Sequence, residues 1–374
     1  MPGPVSFPGY PAAPPRLLCC ACRYAGSVSS PGPVNRYHRQ QLLPQVGDVG
    51  QERLARARVL VVGVGALGCT SADLLARAGV GTLHLLDRDL VEFTNLQRQT
   101  LFDEADAASA TPKAAAAAAR LSRVNSQIGI VPLVRDLTAT IAEQTLAQVQ
   151  PDILIDGTDN FETRYLLNDL SVKHAIPYAY AGVVGTAGMS ALFTPPGPCL
   201  RCVFPEPAAP GATPTCDIAG VLGPAVAVVA ALQAAAVIRL LISGSPQEWR
   251  TTLNDVDAWT GRSRSLDLSE AKRPDCPCCG RRQFEVLSST ISDHASLCGQ
   301  NAVQVTPPAP ASLDLPAIAS RLAAHGQTTS GRLHVRCVLP DGLELTVFPD
   351  ARAIIRGTTR PEVARSLYSR LLGG

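Results

Sequence analysis

The sequence predicts an α/β fold: a Rossmann-like sheet flanked by helices, tied by a knuckle of paired cysteines and followed by a small C-terminal α+β appendage. Three observations predict it. From Arg58 onward, short β-branched runs alternate with longer helical stretches, the pattern that builds a parallel sheet covered by helices. Gly63, Gly65 and Gly68 form G-x-G-x-x-G directly after a strand-like run and directly before a helix-like one. Cysteines recur as C-x-x-C in two distant segments.

The elements follow in order. ARVLVV (57–62) reads as a strand, ALGCTSADLLARAG (66–79) as a helix and TLHLLD (82–87) as the next strand. The alanine-rich run from Lys113 to Val124 has strong helix propensity, while IGIVPLV (128–134) and DILIDG (152–157) read as strands. PYAYAGVV (177–184) and GMSALFTP (188–195) flank a glycine-bearing turn and suit a hairpin. The apolar stretch Ile218 to Ile242 approaches membrane-spanning length, but Pro224, Gln233 and Arg239 interrupt it, so a buried core helix is expected.

The domain reading has three parts. Residues 1–34 are broken by prolines, lack a signal-peptide-length apolar run and are expected to be a disordered extension, with Cys19, Cys20 and Cys22 inert in it. Residues 35–285 carry the sheet and its motifs. Residues 286–374, after a proline-rich linker (306–312), read as a separate α+β unit: a helix ended by Gly326, a hairpin around Pro340-Asp341-Gly342, and a helix from Arg360 to Leu372. The closing YSRLLGG is read as a frayed helix end.

Composition narrows the function classes. With 33 basic and 31 acidic residues the net charge of +2 gives no bias toward nucleic acid or an anionic membrane, so neither is an expected partner. Twelve cysteines, several paired two residues apart in a chain of 374, suggest metal in a reducing compartment, hence the cytoplasm.

The glycine loop lets backbone approach phosphate, and the helix that follows presents unpaired amides to it. Asp87, at the end of the second strand, is placed to accept hydrogen bonds from ribose hydroxyls. This fingerprint most often serves NAD. Here, however, Asp89, Asn95, Gln97 and Arg98 follow in quick succession, with Lys113 at a helix start, and such charge suits a polyphosphate. DGTDN (156–160) ends a strand with Asp156, Asp159 and Asn160, oxygen ligands suited to Mg2+; taken singly, Arg98 or Lys113 is more often a solvated surface charge, and Asp156 or Asp159 a helix cap.

Cys199, Cys202, Cys276 and Cys279 give two C-x-x-C pairs too far apart for a small zinc finger, so one structural Zn2+ would tie distant segments, with Cys278 a bystander. Redox dithiols or unpaired thiols are the alternatives.

Taken together, RYHRQ (36–40), GVGALG, DRDLVEFTNLQRQ, Lys113, DGTDN, CLRC and TCDIAGVLGP resemble the ThiF/MoeB/HesA adenylyltransferases, relatives of the ubiquitin-activating enzymes, from about Arg36 to Gly280. The resemblance implies ATP-dependent, Mg2+-assisted activation of the C-terminal glycine of a ubiquitin-like sulfur-carrier protein, ThiS-like or MoaD-like, in thiamine or molybdopterin biosynthesis. It implies that Asp87 holds the ATP ribose, that Asn95, Arg98 and Lys113 contact the nucleotide and its phosphates, and that Asp159, next to Asn160, is the Mg2+-binding and catalytic aspartate. Arg39 matches an arginine that acts in the active site of the other subunit, which implies a homodimer. Cys216 matches a cysteine that links covalently to the carrier in some members and is dispensable in others. The tail has no rhodanese-type active-site loop, so a separate sulfur donor, such as a cysteine desulfurase or rhodanese, is expected.

Two competing readings share some of these features. An NAD-dependent oxidoreductase would use the glycine loop but leaves Arg39, Arg98, Lys113 and the cysteine knuckle without a reason. A silent scaffold binding a ubiquitin-like protein would keep fold and zinc and lose the nucleotide chemistry.

Overall fold

The structure is a computed structural model that describes residues 36–206, 219–244, 249–289, 301–307 and 311–372, and the backbone of 294–297. The expected N-terminal extension, Cys216 and the final two glycines lie outside the described residues.

An eight-stranded sheet organises the first part. It comprises β1 (Arg58–Val62), β2 (Thr82–Asp87), β3 (Gly129–Val134), β4 (Ile153–Asp156), β5 (Tyr178–Val184), β6 (Ala187–Phe193), β7 (Thr252–Asp257) and β8 (Arg262–Asp267), in the order β3-β2-β1-β4-β5-β6-β7-β8. The strands from β3 to β5 pair in parallel, with Val59 opposite both Leu83 and Ile153, and β5 to β8 pair antiparallel. The hairpin expected around Gly185 is β5–β6.

Nine helices among the described residues accompany this sheet: α1 (His38–Gln41), α2 (Gly47–Arg56), α3 (Ala66–Ala78), α4 (Glu104–Ala108), α5 (Lys113–Val124), α6 (Ala139–Val149), α7 (Phe161–His174), α8 (Leu200–Val203) and α9 (Gly223–Ser243). Strand β1 shows why its run is unbroken by polar residues. Val59 and Val61 face one core with α3, α5 and α9, whereas Leu60 and Val62 face a second core with α6 and α7. A strand buried on both faces needs apolar side chains at every position.

The apolar stretch read as a core helix begins at Gly223 rather than Ile218, with Pro224 in its first turn. By length and mean hydropathy, 2.3, α9 could cross a membrane. A buried polar residue stitches it into the protein: Gln233 is 1% exposed, donates to the carbonyls of Asp156 and Ala179 at 3.0 and 2.9 Å, and accepts from Ser71 on α3 at 2.7 Å.

The second sheet contains β9 (His294–Leu297), β10 (Ala302–Val305), β11 (Gln327–Ser330), β12 (Val335–Val338), β13 (Glu344–Val347) and β14 (Ala353–Arg356), in the antiparallel order β11-β12-β13-β14-β10-β9. The Pro-Asp-Gly hairpin is β12–β13, with Val335 opposite Val347. Helices α10 (Leu315–Leu322) and α11 (Pro361–Leu372) close its core. The sequence reads this region as separate, yet it also packs against the first sheet: Ala302, Phe348 and Ile354 cluster with Leu90, Ala110 and Val134, beside the carboxyl ends of β2 and β3.

Candidate functional site

The chain runs from β1 outward to β3 and then returns to the other side of β1 with β4, so the crevice between β1 and β4 is the topological switch point where open α/β sheets bind ligands. Backbone closeness there requires glycine. Gly63 has φ +82°, and a Cβ on it would lie 2.8 Å from the carbonyl of Gly157. A Cβ on Gly68 would lie 1.9 Å from the Gly63 oxygen. Gly65 differs: its nearest prospective neighbours, Gln99 Nε2 and the Gly157 oxygen, are 3.9 Å away. Gly65 also caps the N-terminus of α3, so it leaves room for an anion at unpaired helix amides. Gly157 and Gln99 escaped the sequence reading. A glycine directly after an apolar strand was the available signal for the first; nothing marks Gln99, which is 4% exposed with Oε1 unpartnered.

Asp87 ends β2, 7% exposed, its carboxylate accepting from the amides of Val64 (2.6 Å) and Asp89 (2.7 Å). Burial pushes this carboxyl up to about 6, with Lys113 pulling the other way. Asp89 goes in the opposite direction: burial opposes its charge too, but Lys113 and Arg88 hold it down at about 2. Lys113, 5% exposed at the first turn of α5, lies 3.1 Å from Asp89 Oδ2, and although burial works against its charge, Asp89, Asp87 and Asp159 keep it above the ordinary lysine value. A buried ammonium is thus kept charged by its contact with Asp89 and by the nearby charges of Asp87 and Asp159.

Asn95 is buried and its Oδ1 accepts from the Glu92 amide at 3.0 Å, which fixes the short 3-10 turn Phe93–Asn95. Arg98 follows, half-buried and held by its donation to the Thr94 carbonyl at 2.9 Å.

At the end of β4 the expected oxygen ligands separate into different roles. Asp156 is not available to a cation. It is fully buried, takes the amide and hydroxyl of Thr158 on Oδ1 (2.9 and 2.6 Å), and takes Arg164 Nε (3.0 Å) and the Tyr178 hydroxyl (2.7 Å) on Oδ2. Arg164 also donates to the Thr158 carbonyl at 3.0 Å, so this buried pair shapes the loop on which Asp159 stands. Asn160 accepts the Thr163 amide at 2.9 Å as the N-cap of α7. Asp159 is exposed and forms no ion pair among the described residues, which leaves its carboxylate open toward the Lys113 and Arg88 charges.

One described residue that the sequence predicts for the site is not brought to this group. Arg39 is exposed on α1, whose Gln40 donates to the Ala78 carbonyl at the far end of α3, about 20 Å along that helix from Gly65. Cys216 lies outside the described residues.

The sulfurs of Cys199, Cys202, Cys276 and Cys279 lie within 4.8 Å of one another, with 3.9 Å from Cys199 to Cys202, 3.7 Å from Cys199 to Cys276 and 3.3 Å from Cys202 to Cys279. Four sulfurs at about 2.3 Å from a tetrahedral zinc stand about 3.8 Å apart, so the set fits such an ion. Cys278 points elsewhere, accepting from Asn168 Nδ2 at 3.2 Å. Because Asn168 lies about 12 Å along α7 from Asn160, the cluster is remote from the glycine loop.

The profile of the ThiF family matches residues 37–278. The sulfur carrier protein ThiS adenylyltransferase of Bacillus subtilis is 37% identical over 340 residues, 90% of this chain and 99% of that protein. The sulfur carrier protein adenylyltransferase of Thermus thermophilus is 39% identical over 274 residues, 71% of this chain and 97% of that protein. Among solved structures, Escherichia coli MccB with ATP superposes with a TM-score of 0.55 at 26% identity, over 66% of this chain and 75% of that one.

Proposed function

The chain belongs to the ThiF family, and on that premise we propose that it catalyses ATP-dependent adenylation of the C-terminal glycine of a small sulfur-carrier protein. The observation that carries the reading is Lys113, a buried cation held among Asp87, Asp89 and Asp159 beside the glycine loop. A nicotinamide dehydrogenase has no use for that charge there, and a silent scaffold has no use for a buried lysine kept ionised.

The terminal carboxylate of a protein is already ionised at neutral pH, so attack on the α-phosphorus needs no general base. One carboxylate oxygen forms the new bond to phosphorus and pyrophosphate leaves with the electron pair of the broken bond. The amides at Gly65 and the first turn of α3 receive phosphate oxygens, and Asp87 accepts from the ribose hydroxyls. Asn95 keeps the Phe93–Asn95 turn closed beneath the nucleotide, while Lys113 and Arg98 neutralise charge that moves onto the leaving group. Asp159, with Asn160 beside it, would hold Mg2+, which adds neutralising charge at the phosphates.

Arg39, remote from this chain's own site, would act in the site of a second copy, so the reading includes a homodimer. Cys216 is the candidate acceptor of the activated acyl group, with AMP released as its sulfur bonds to the carboxyl carbon. Zn2+ in the four-cysteine cluster would have no open coordination position and would serve structure alone. Alignment along 90% of the chain with a protein named for ThiS favours a ThiS-like carrier over a MoaD-like one, and the reading includes a cytoplasmic setting and a separate sulfur donor.

Trapping tests the reading. With ATP, Mg2+, the enzyme and hydroxylamine, the carrier should gain the mass of a C-terminal hydroxamate; a carrier unchanged under these conditions would remove the proposal.

A further inference from the structure

The C-terminal sheet takes hold of the loop that carries Asp89, and through it of Lys113. Arg352, 2% exposed just before β14, donates through Nη1 to the carbonyl of Arg88 at 2.8 Å and to Gln304 Oε1 at 3.3 Å, with its guanidinium 4.0 Å above the Phe348 ring. Gln304 of β10 in turn donates to Asp136 at 3.2 Å, and Asp136 also receives Arg88 Nη1 at 2.7 Å. Arg88 Nε is 3.8 Å from Asp89 Oδ1, and Asp89 Oδ2 is 3.1 Å from Lys113. A second contact lies further along the same loop. Arg356, at the end of β14, pairs with Glu92, whose amide is the one Asn95 accepts. Leu90, between the two contacts, is 1% exposed against Phe348 and Ile354.

We propose that Arg352 and Arg356 are positioning residues for adenylation, fixing the 88–95 loop so that Asp89 presents Lys113 to the phosphates; this rests on the function proposed above. Neither arginine touches substrate. Filling a core would need only an apolar side chain, since an isolated buried charge costs stability unless it is paired. Here Arg352 lies 3.8 Å from Asp350 of its own sheet, yet Nη1 is spent on the carbonyl of Arg88 and on Gln304, the residue that holds Asp136, so the guanidinium ties the C-terminal sheet to the loop after β2. A displacement of about 1 Å in a reacting group can cost about 10² in rate, so a loop released at two points changes turnover more than nucleotide binding, which Asp87 and the glycine loop share with Asn95 and Lys113.

The test is carrier-dependent ATP–pyrophosphate exchange by the full chain, with kcat and the KM for ATP measured for the wild type, Arg352→Gln, Arg356→Gln and the charge exchange Glu92→Arg with Arg356→Glu. Thermal unfolding monitors the folded state. We expect each single variant to lose about tenfold in kcat with KM within about twofold, and the charge exchange to recover most of the loss. Folded Arg356→Gln with wild-type kcat, a change confined to KM, or a charge exchange no better than Arg356→Gln would overturn the proposal. Arg356 and Glu92 decide the matter even if Arg352→Gln does not fold. A wild type without exchange would instead overturn the functional reading and this inference with it.

Discussion

Lys113 is fastened to Asp89 twice: its Nζ lies 3.1 Å from Asp89 Oδ2, and its backbone amide donates to the Asp89 carbonyl at 2.9 Å. The first residue of α5 therefore cannot move its ammonium without moving the loop after β2. Lys113→Met should lower carrier-dependent exchange by about 10² to 10³ while thermal unfolding still shows a folded protein. Lys113→Arg should recover only part, because a planar guanidinium does not replace a compact ammonium in a site of fixed size. Equal rates for wild type and Lys113→Met would remove this lysine from the chemistry.

Gly65 and Gly68 should separate nucleotide binding from folding. A Cβ at Gly68 meets the Gly63 oxygen at 1.9 Å, so Gly68→Ala should destabilise by about 1–3 kcal/mol and also weaken ATP binding. At Gly65 the nearest atoms are 3.9 Å away, so Gly65→Ala should leave the unfolding temperature nearly unchanged and still weaken ATP binding, because the added methyl occupies phosphate space. Calorimetric ATP titration and thermal unfolding of both variants check this; a Gly65→Ala protein binding ATP as the wild type does would contradict the site.

Asp87 and Asp89 titrate in opposite senses, which sets the pH behaviour. The Asp87 carboxyl, at about 6 when folded, binds a proton as pH falls from 7 to 5 and loses acceptor strength toward ribose, while Asp89, at about 2, stays charged. ATP binding should therefore weaken with a midpoint near pH 6, and Asp87→Asn should flatten the profile at a lower affinity. The stability signs differ. Asp87 is raised above its unfolded value of about 3.9, so its contribution is full below that value and lost as pH rises through about 6; Asp89 is depressed, so its contribution is present above about 3.9 and lost as pH falls through about 2. Between pH 7 and 5 the unliganded protein thus gains slightly from Asp87 while the extra thermal stability conferred by ATP shrinks.

The four-cysteine cluster should hold about one zinc per chain by elemental analysis. Its ligands join α8 to the segment after β8, remote from the glycine loop. Cys276→Ser should therefore lower zinc content and unfolding temperature together, while ATP affinity at low temperature, where the protein stays folded, remains near that of the wild type. An ATP affinity that falls in step with zinc would tie the cluster to the site.

Much of this architecture was legible locally. Strands β1, β2 and β4 announce themselves because both faces are buried, and the glycine loop because sheet, turn and helix signals coincide at Gly63–Gly68. What remained hidden depends on distant partners. In the sequence Asp156 and Asp159 look alike; only Arg164 on α7 and Tyr178 on β5 show that the first belongs to the core. Strand β8 has every residue exposed, so no alternation marks it, and α7 carries Asn168, Asp169 and Ser171 buried beside leucines, which erases an amphipathic period. Arg352 reads as one more charge in a tail without chemistry, because its contacts with Arg88 and Gln304 are long-range.

The most direct test of adenylation is ATP–pyrophosphate exchange with Mg2+ and a ThiS-like carrier, set beside the same carrier lacking its terminal glycine and beside Asp159→Ala. The account predicts exchange with the intact carrier, none with the shortened one, and a loss of about 10² or more in the variant. Exchange that ignores the carrier terminus, or that Asp159→Ala supports at the wild-type rate, would contradict it.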